Sequence, residues 1–312
     1  MRGFLKLYTL LFSLSLCLFT GYALLDSFVI RRVYATVDPP GTAAESSAPA
    51  ESPQPQALAS LGGSSADVQS EAEIGDASYC DENISIRIDS VRFRDTEVYV
   101  ADILLSSPDY LKTAFSGGAY GRNITAATSD TASALGALLA VNGDNYGSRE
   151  AGYVIRGGVL YRDSPARDQE DLVIWDDGSF SIIRESEISA QELLDAGARE
   201  VFSFGPGLLE DGSITVESGE EVGRAKASNP RTAIGLIGEG HYVLVVSDGR
   251  SSESAGLSLY ELACFMQELG CRSAYNLDGG GSSTMVFLGD VVNKPSGRNG
   301  ERSVTDIVYI AA

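Results

Sequence analysis

The sequence predicts an α+β fold: a single mixed α/β domain, strand-rich with a few helices, behind a transmembrane segment and a disordered stalk. Three observations predict it. Apolar runs of strand length recur from Ile84 to the C-terminal end, divided by Gly, Asn and Asp. Two capping boxes, Ser189 with Glu192 and Ser258 with Glu261, mark helix starts. Residues 7–30 form a nearly continuous apolar run whose one acid is Asp26.

That run follows Arg2 and Lys6 and stops at Arg31 and Arg32. It is longer than the roughly 7–15 apolar residues of a secretory signal and close to the ~20 that span a bilayer. The expectation is an uncleaved single-pass anchor at the cell membrane, with the C-terminal body extracytoplasmic. The alternative is cleavage near Val33-Tyr34-Ala35, which would leave the body secreted. From Asp38 to Ser78 the chain is rich in Ala, Ser, Pro, Gly and Glu and has no apolar period. Such a stretch buries too little surface to offset its ordering entropy. The expected units are therefore residues 1–35 as anchor or signal, 36–78 as stalk, and 79–312 as the folded domain.

Within the domain, Ile84–Ile88 alternates and Val98–Leu105 reads as a more buried strand. Asp109–Phe115 reads as a short helix, and Ser129 or Asp130 opens another that runs to about Leu138. Strands are expected at Val154–Ile155, Val159–Tyr161, Leu172–Trp175, Phe180–Ile183, Val243–Val246 and Ala274–Leu277. The capped helices end near Gly197 and Gly270.

Composition restricts the chemistry. The 312 residues carry a formal net charge of −20, which disfavours nucleic acid as a partner. Any anionic substrate then needs local arginines. The one histidine, His241, opens an apolar strand and reads as a strand-edge residue. The four cysteines, Cys17, Cys80, Cys264 and Cys271, include no CxxC pair and read as free thiols. Asn142, Asp144 and Asn145 could offer oxygens to calcium, but their spacing matches no recognised loop. Neither a metal nor a cofactor is called for. No Gly-Lys-Ser/Thr follows the glycines, so a nucleotide-hydrolysing phosphate loop is disfavoured.

Chemistry-bearing residues gather at strand ends. Asp278 precedes Gly279, Gly280 and Gly281, then Ser282 and Ser283. A backbone without Cβ atoms can approach a ligand and present bare N–H groups. Arg231 starts a strand and suits bidentate phosphate binding. Asp248 and Arg250 end the apolar run at Val243–Val246. Asn142 and Asp144 follow a small apolar segment and suit sugar hydroxyls, although a turn explains them as well. Arg302 adds a further cation.

Six segments in this order resemble the phosphodiester glycosidase family, over roughly Phe115–Ile310. They are Ala140–Tyr146 (AVNGDNY), Phe204–Gly212 (FGPGLLEDG), Asn229–Gly235 (NPRTAIG), Val245–Ser251 (VVSDGRS), Asn276–Met285 (NLDGGGSSTM) and Asn293–Val304 (NKPSGRNGERSV). The first segment departs from the common family pattern at Asp144, Asn145 and Tyr146. The resemblance implies hydrolysis of a sugar-1-phosphodiester, of the GlcNAc-1-phosphate type, to free sugar and a phosphomonoester. It implies catalytic roles for Asp278, Asp248 and Arg231. It implies substrate contacts from Asn142, Asp144, Arg250, Gly279, Gly280, Gly281, Ser282 and Arg302. The expected partners are a phosphosugar or cell-envelope glycan and, through the N-terminal segment, a membrane. A non-catalytic phosphosugar-binding protein of exopolysaccharide assembly is the alternative.

Overall fold

Alternating burial along a few long strands sets the architecture. A computed structural model describes residues 2–37, 73–75, 77–219 and 228–312. In the strand Thr96–Leu105, Val98 and Val100 pack on one side and Ala101, Ile103 and Leu105 on the other. The strands Arg231–Gly238 and His241–Ser247 alternate likewise. A strand buried on both faces needs a cover on each side.

Among the described residues, the central sheet has nine antiparallel strands. Its order is Ser213–Ile214, Gly207–Glu210, Ser273–Leu277, Arg231–Gly238, His241–Ser247, Thr96–Leu105, Ile84–Phe93, Ser78–Cys80 and Glu73–Gly75. One face packs on the helix Leu259–Glu268 through Leu259, Leu262, Ala263, Phe265 and Met266. The other packs on a five-stranded sheet ordered Asp290–Val291, Met285–Phe287, Leu139–Asn142, Asp306–Ile310 and Leu111–Phe115. The helix Thr128–Leu135 covers the outer side of that second sheet. A third sheet of five strands, between Val154 and Phe202, carries the short helix Ala190–Asp195. The fold is thus strand-rich α+β, as expected.

Both capping boxes form: Ser189 with Glu192, and Ser258 with Glu261, each exchange side-chain and backbone hydrogen bonds. The helix from Thr128 ends at Leu135, where Gly136 takes the left-handed conformation at φ 63°. Asp109–Phe115 corrects the short helix expected there. Only Pro108–Tyr110 makes a 3₁₀ turn, and Leu111–Phe115 pairs as a strand with Asp306–Ile310. Long-range pairing across the sheet overrides a weak local preference there.

The stalk expected at 36–78 falls largely on residues 38–72, outside the described residues. Upstream of the boundary expected at 79, Glu73–Gly75 and Ser78–Cys80 already belong to the central sheet. His241 stands at a strand start, with Nε2 2.6 Å from Asp102 Oδ1. All four cysteines are free.

Leu262 is fully buried between the helix and the central sheet. Leu262→Ala should cost roughly 2–5 kcal/mol, and Ser258→Ala about 1 kcal/mol through loss of the cap. Urea titration of each variant checks both values, and the reverse ranking would contradict this packing.

Candidate active site

The segment Asp278–Thr284 crosses from the central sheet to the second sheet, so its conformation is set from both sides. Asp278 leaves the strand Ser273–Leu277, and Met285 enters the strand Met285–Phe287. Between them Gly280 takes φ +64°. A Cβ at Gly279 would lie 2.8 Å from the Pro230 carbonyl oxygen, which accepts the Gly280 N–H at 2.8 Å. Only glycine lets the two backbones approach this closely.

Asn142 braces the crossing from the second sheet. Its Nδ2 donates to the Asp278 carbonyl at 2.6 Å. Its Oδ1 accepts from Thr232 Oγ1 at 2.8 Å and from the Thr284 N–H at 3.3 Å. The Asp278 N–H donates to the Gly143 carbonyl at 3.2 Å. Asn142 is therefore a fully buried brace for the glycine segment.

The Asp278 carboxylate, mostly buried, accepts from Ser282 Oγ at 2.7 Å and is paired with the Arg302 guanidinium. Arg302 Nε also donates to Ser282 Oγ at 2.7 Å, and the arginine side chain is 46% exposed. Glu301 fixes this arm by accepting from Ser129 N and Oγ at the first turn of the helix Thr128–Leu135. On the other flank, a Cβ at Gly280 would lie 2.9 Å from Arg250 Nη2. Asn229 Oδ1 holds that guanidinium, accepting from Nη2 at 2.9 Å. The glycine segment thus runs between two arginines, one gripping the acid.

Asp248 lies one step further out. Its Oδ1 accepts from Lys294 N at 2.9 Å and Asn293 Nδ2 at 3.2 Å, and Tyr99 OH is 3.4 Å from Oδ2. Burial raises its pKa above the ordinary carboxylate value against those donors. Tyr99, Asp248, Arg250, Lys294 and Ser296 line a cleft of ≈ 540 Å³. A second hollow of ≈ 500 Å³, bordered by Asp177, Phe180, Glu239 and Arg272, holds none of the candidate residues.

Like Asn142, which was expected to contact substrate, two further expected site residues are turned into the interior. Strand alternation puts Arg231 on the side of Ala233, opposite Thr232. Arg231 is buried, and its Nε donates to the Leu257 carbonyl at 2.9 Å. Its backbone still borders the glycine segment, with its Cα 3.6 Å from where a Gly279 Cβ would stand. Asp144 is also buried. Its carboxylate accepts from Ser203 N at 2.8 Å and Tyr146 N at 3.1 Å, and it pairs with Arg156 at 3.0 Å. Arg156 pairs in turn with Asp306 at 2.9 Å and lies over the Phe202 ring. Asp144 therefore reaches no sugar from this position. The brace residues Thr232, Thr284 and Asn293 carried no sequence signal beyond lying inside the quoted segments.

Burial opposes the Asp144 charge, but Arg156 and the Ser203 N–H outweigh it and hold its pKa below the ordinary value. Burial and the Asp144 charge raise Asp306. Burial also raises Glu200, on the same Arg156, to about 7 despite that arginine.

Against this geometry, the model of the phosphodiester glycosidase family matches residues 135–311. The chain belongs to the phosphodiester glycosidase family. It is 33% identical over 179 residues to an uncharacterised prophage-derived protein, YomE of Bacillus subtilis, covering 56% of this chain and 28% of that one. It is 31% identical over 199 residues to the mouse N-acetylglucosamine-1-phosphodiester α-N-acetylglucosaminidase, covering 58% of this chain and 38% of the enzyme. The chain thus spans well under half the length of the curated relatives it matches. The catalytic domain of the zebrafish enzyme, solved in a form auto-inhibited by its pro-peptide, has a similar fold. Its TM-score is 0.59 at 22% identity, over 73% of this chain and 83% of that one. A hypothetical protein from Synechocystis has a TM-score of 0.58 at 16% identity, over 74% of this chain and 62% of that one.

Folded Glu200 keeps its proton up to about pH 7, whereas an unfolded glutamate loses it near 4.3. Between those values the folded state binds the extra proton, so stability falls as pH rises through that window. Urea unfolding should show lower stability at pH 7.5 than at pH 5, and Glu200→Gln should narrow the difference. An unchanged difference in the variant would exclude this group as its source.

Proposed function

We propose that this domain hydrolyses a sugar-1-phosphodiester of the GlcNAc-1-phosphate type, releasing free sugar and a phosphomonoester. The observation that carries the reading is the glycine segment between Arg250 and Arg302, with Asp278 held at its start. Membership of the family supports it. So does the activity that names the mouse relative, an N-acetylglucosamine-1-phosphodiester α-N-acetylglucosaminidase.

The bond broken is that between the anomeric carbon and the phosphate oxygen. The leaving phosphomonoester carries the bonding electron pair away, and a water oxygen ends on the sugar carbon. Arg250 and Arg302, with the loop N–H groups, neutralise the phosphate as charge grows on it. Asp278 is the base or nucleophile at the anomeric carbon. Asp248, with its raised pKa, is the second carboxyl and lies in the cleft that takes the group beyond the phosphate. Arg231 supports the wall behind the glycine segment rather than serving as the principal phosphate anchor. Tyr8–Phe28 is long and apolar enough to cross a membrane, which supports a single-pass anchor with the domain extracytoplasmic. A cell-envelope glycan is then the natural substrate pool.

Incubation of the detergent-solubilised protein with a GlcNAc-1-phosphodiester should release GlcNAc. Asp278→Asn should lower kcat by at least about 10²-fold, with an unchanged unfolding midpoint. Binding without product in the wild type would favour the exopolysaccharide-binding alternative, and near-normal turnover by Asp278→Asn would remove that residue from catalysis. Arg302→Lys keeps a positive charge but loses the planar fork, and should lower kcat/KM by roughly 10-fold or more. Equal kcat/KM would shift phosphate binding to Arg250.

A further inference from the structure

The N-terminal segment does more than end in arginines. The apolar side chains from Tyr8 to Phe28 face outward, as at Phe12 (59% exposed) and Leu16 (54%), and no residue of this window is buried. The helix ends where Val29 and Ile30 both donate to the Leu25 carbonyl at 2.8 Å. Two residues later the chain becomes a strand of the domain. Arg32–Thr36 pairs antiparallel with Ala119–Arg122, with Arg32 opposite Arg122, Val33 opposite Gly121 and Thr36 opposite Ala119. Val37 N continues the ladder to the Gly118 carbonyl at 2.9 Å.

Side chains lock the junction. Asn123, in the left-handed region at φ 58°, donates from Nδ2 to the carbonyls of Ile30 at 2.9 Å and Asp26 at 3.3 Å. Arg32 pairs with Asp26, its Nε 3.0 Å away. Tyr34 packs on Tyr120, with ring centroids 5.9 Å apart, and Tyr120 stacks on Tyr146 at 5.1 Å. Gly121 N donates to Tyr146 OH at 3.3 Å. A Cβ at Gly121 would stand 2.0 Å from the Arg32 carbonyl oxygen, so the contact requires glycine.

We propose that residues 26–36 and Ala119–Asn123 form a clasp that seats the domain directly on a bilayer, so that its substrate is a glycosyl phosphodiester whose aglycone is a membrane lipid. The second half of this statement rests on the glycosidase reading above; the first half does not. Arg31, Arg32 and Arg122 gather at the helix end and meet the phosphate layer of the lipid headgroups. The site is within reach of that layer. Ala126 bridges to Val304, three residues from Asn123 and two from Arg302. At no more than about 3.5 Å per residue and about 5 Å across the bridge, Arg302 lies within about 25 Å of Asn123. The candidate cleavage site Val33-Tyr34-Ala35 lies inside the paired strand, so the clasp requires the segment to be retained.

The test uses the full chain in phospholipid vesicles. Paired residues of an antiparallel ladder have Cα atoms about 4.5–5.5 Å apart, within disulfide range. In a Cys80→Ser background, Thr36→Cys with Ala119→Cys should oxidise to an intramolecular bridge, found by non-reducing peptide mapping. The off-register pair Thr36→Cys with Arg122→Cys should not. A mature chain beginning after Ala35, or no bridge in the first pair, would overturn the clasp.

Two substrates then separate the claims: a soluble GlcNAc-1-phosphodiester, and a long-chain alkyl GlcNAc-1-phosphodiester embedded in the same vesicles. Gly121→Val, and independently Val33→Pro, which alters the anchor strand alone, should slow cleavage of the embedded substrate by roughly 10-fold or more through lost effective concentration. Cleavage of the soluble one should be unchanged. Equal rates for both substrates in all variants would overturn the lipid-linked substrate while leaving the glycosidase reading standing. Failure of the wild type to cleave either would overturn the glycosidase reading and the lipid-linked substrate with it, and the bridge would still decide the clasp.

Discussion

The side-chain amide of Asn142 is the constraint on which the rest of the site depends. One buried group ties the Asp278 carbonyl, the Thr232 hydroxyl and the Thr284 N–H together across two sheets. Two of these stand at the two ends of the glycine segment, and the third, Thr232, lies in a strand of the central sheet. A buried amide with its partners satisfied is rigid, and removing one partner strands the others without water. The glycine segment has no side chains at Gly279–Gly281 to pack, so its position is borrowed from its surroundings. Asn142 supplies that position from one side and the Pro230 carbonyl from the other.

A second constraint lies just behind. Asp144 follows Asn142 by two residues and is pinned by Arg156, which also holds Asp306 in the strand that pairs with Leu139–Asn142. This triad joins the second sheet to the third, and the Gly143 backbone lies tight against the Asp306 carboxylate, which a Cβ there would approach to 2.4 Å. Removing one member of a buried ion group typically costs 3–5 kcal/mol, because the partners remain charged and unpaired. Its role here is registration: it fixes where Asn142 stands, and through Asn142 where Asp278 stands.

Much of this was legible in the sequence, for identifiable reasons. Alternation exposed Ile84–Ile88 and Val98–Leu105, and reciprocal Ser/Glu spacing exposed both capped helices, because these signals are local. Leu111–Phe115 was not legible as a strand. Its partner, Asp306–Ile310, is remote in sequence, and no local pattern announces that pairing. Asp144 illustrates the same limit. An acid in an Asn-Gly-Asp-Asn turn looks identical whether it faces a sugar or a buried arginine, and its arginine comes from another sheet. Arg231 was half legible: the strand start was visible, and counting alternation from the apolar Ala233 puts its side chain on the helix side.

The division of labour among the arginines follows from electrostatics. The chain carries a net charge of −20, which at long range opposes an anionic phosphodiester. At physiological ionic strength the screening length is about 8 Å. Charges scattered over the surface therefore contribute little inside the cleft, and the cations bordering the glycine segment decide the local potential. Arg231, with its Nε spent on the Leu257 carbonyl, holds backbone in place. Arg302 differs: close to half of its side chain meets solvent, and its grip on Asp278 places a fixed positive charge beside the carboxylate. On the proposed reading, an incoming phosphate would compete for that guanidinium and draw it from the acid. Substrate binding would then release the Asp278 carboxylate for reaction when the phosphate is in place, which couples recognition of the diester to readiness of the acid.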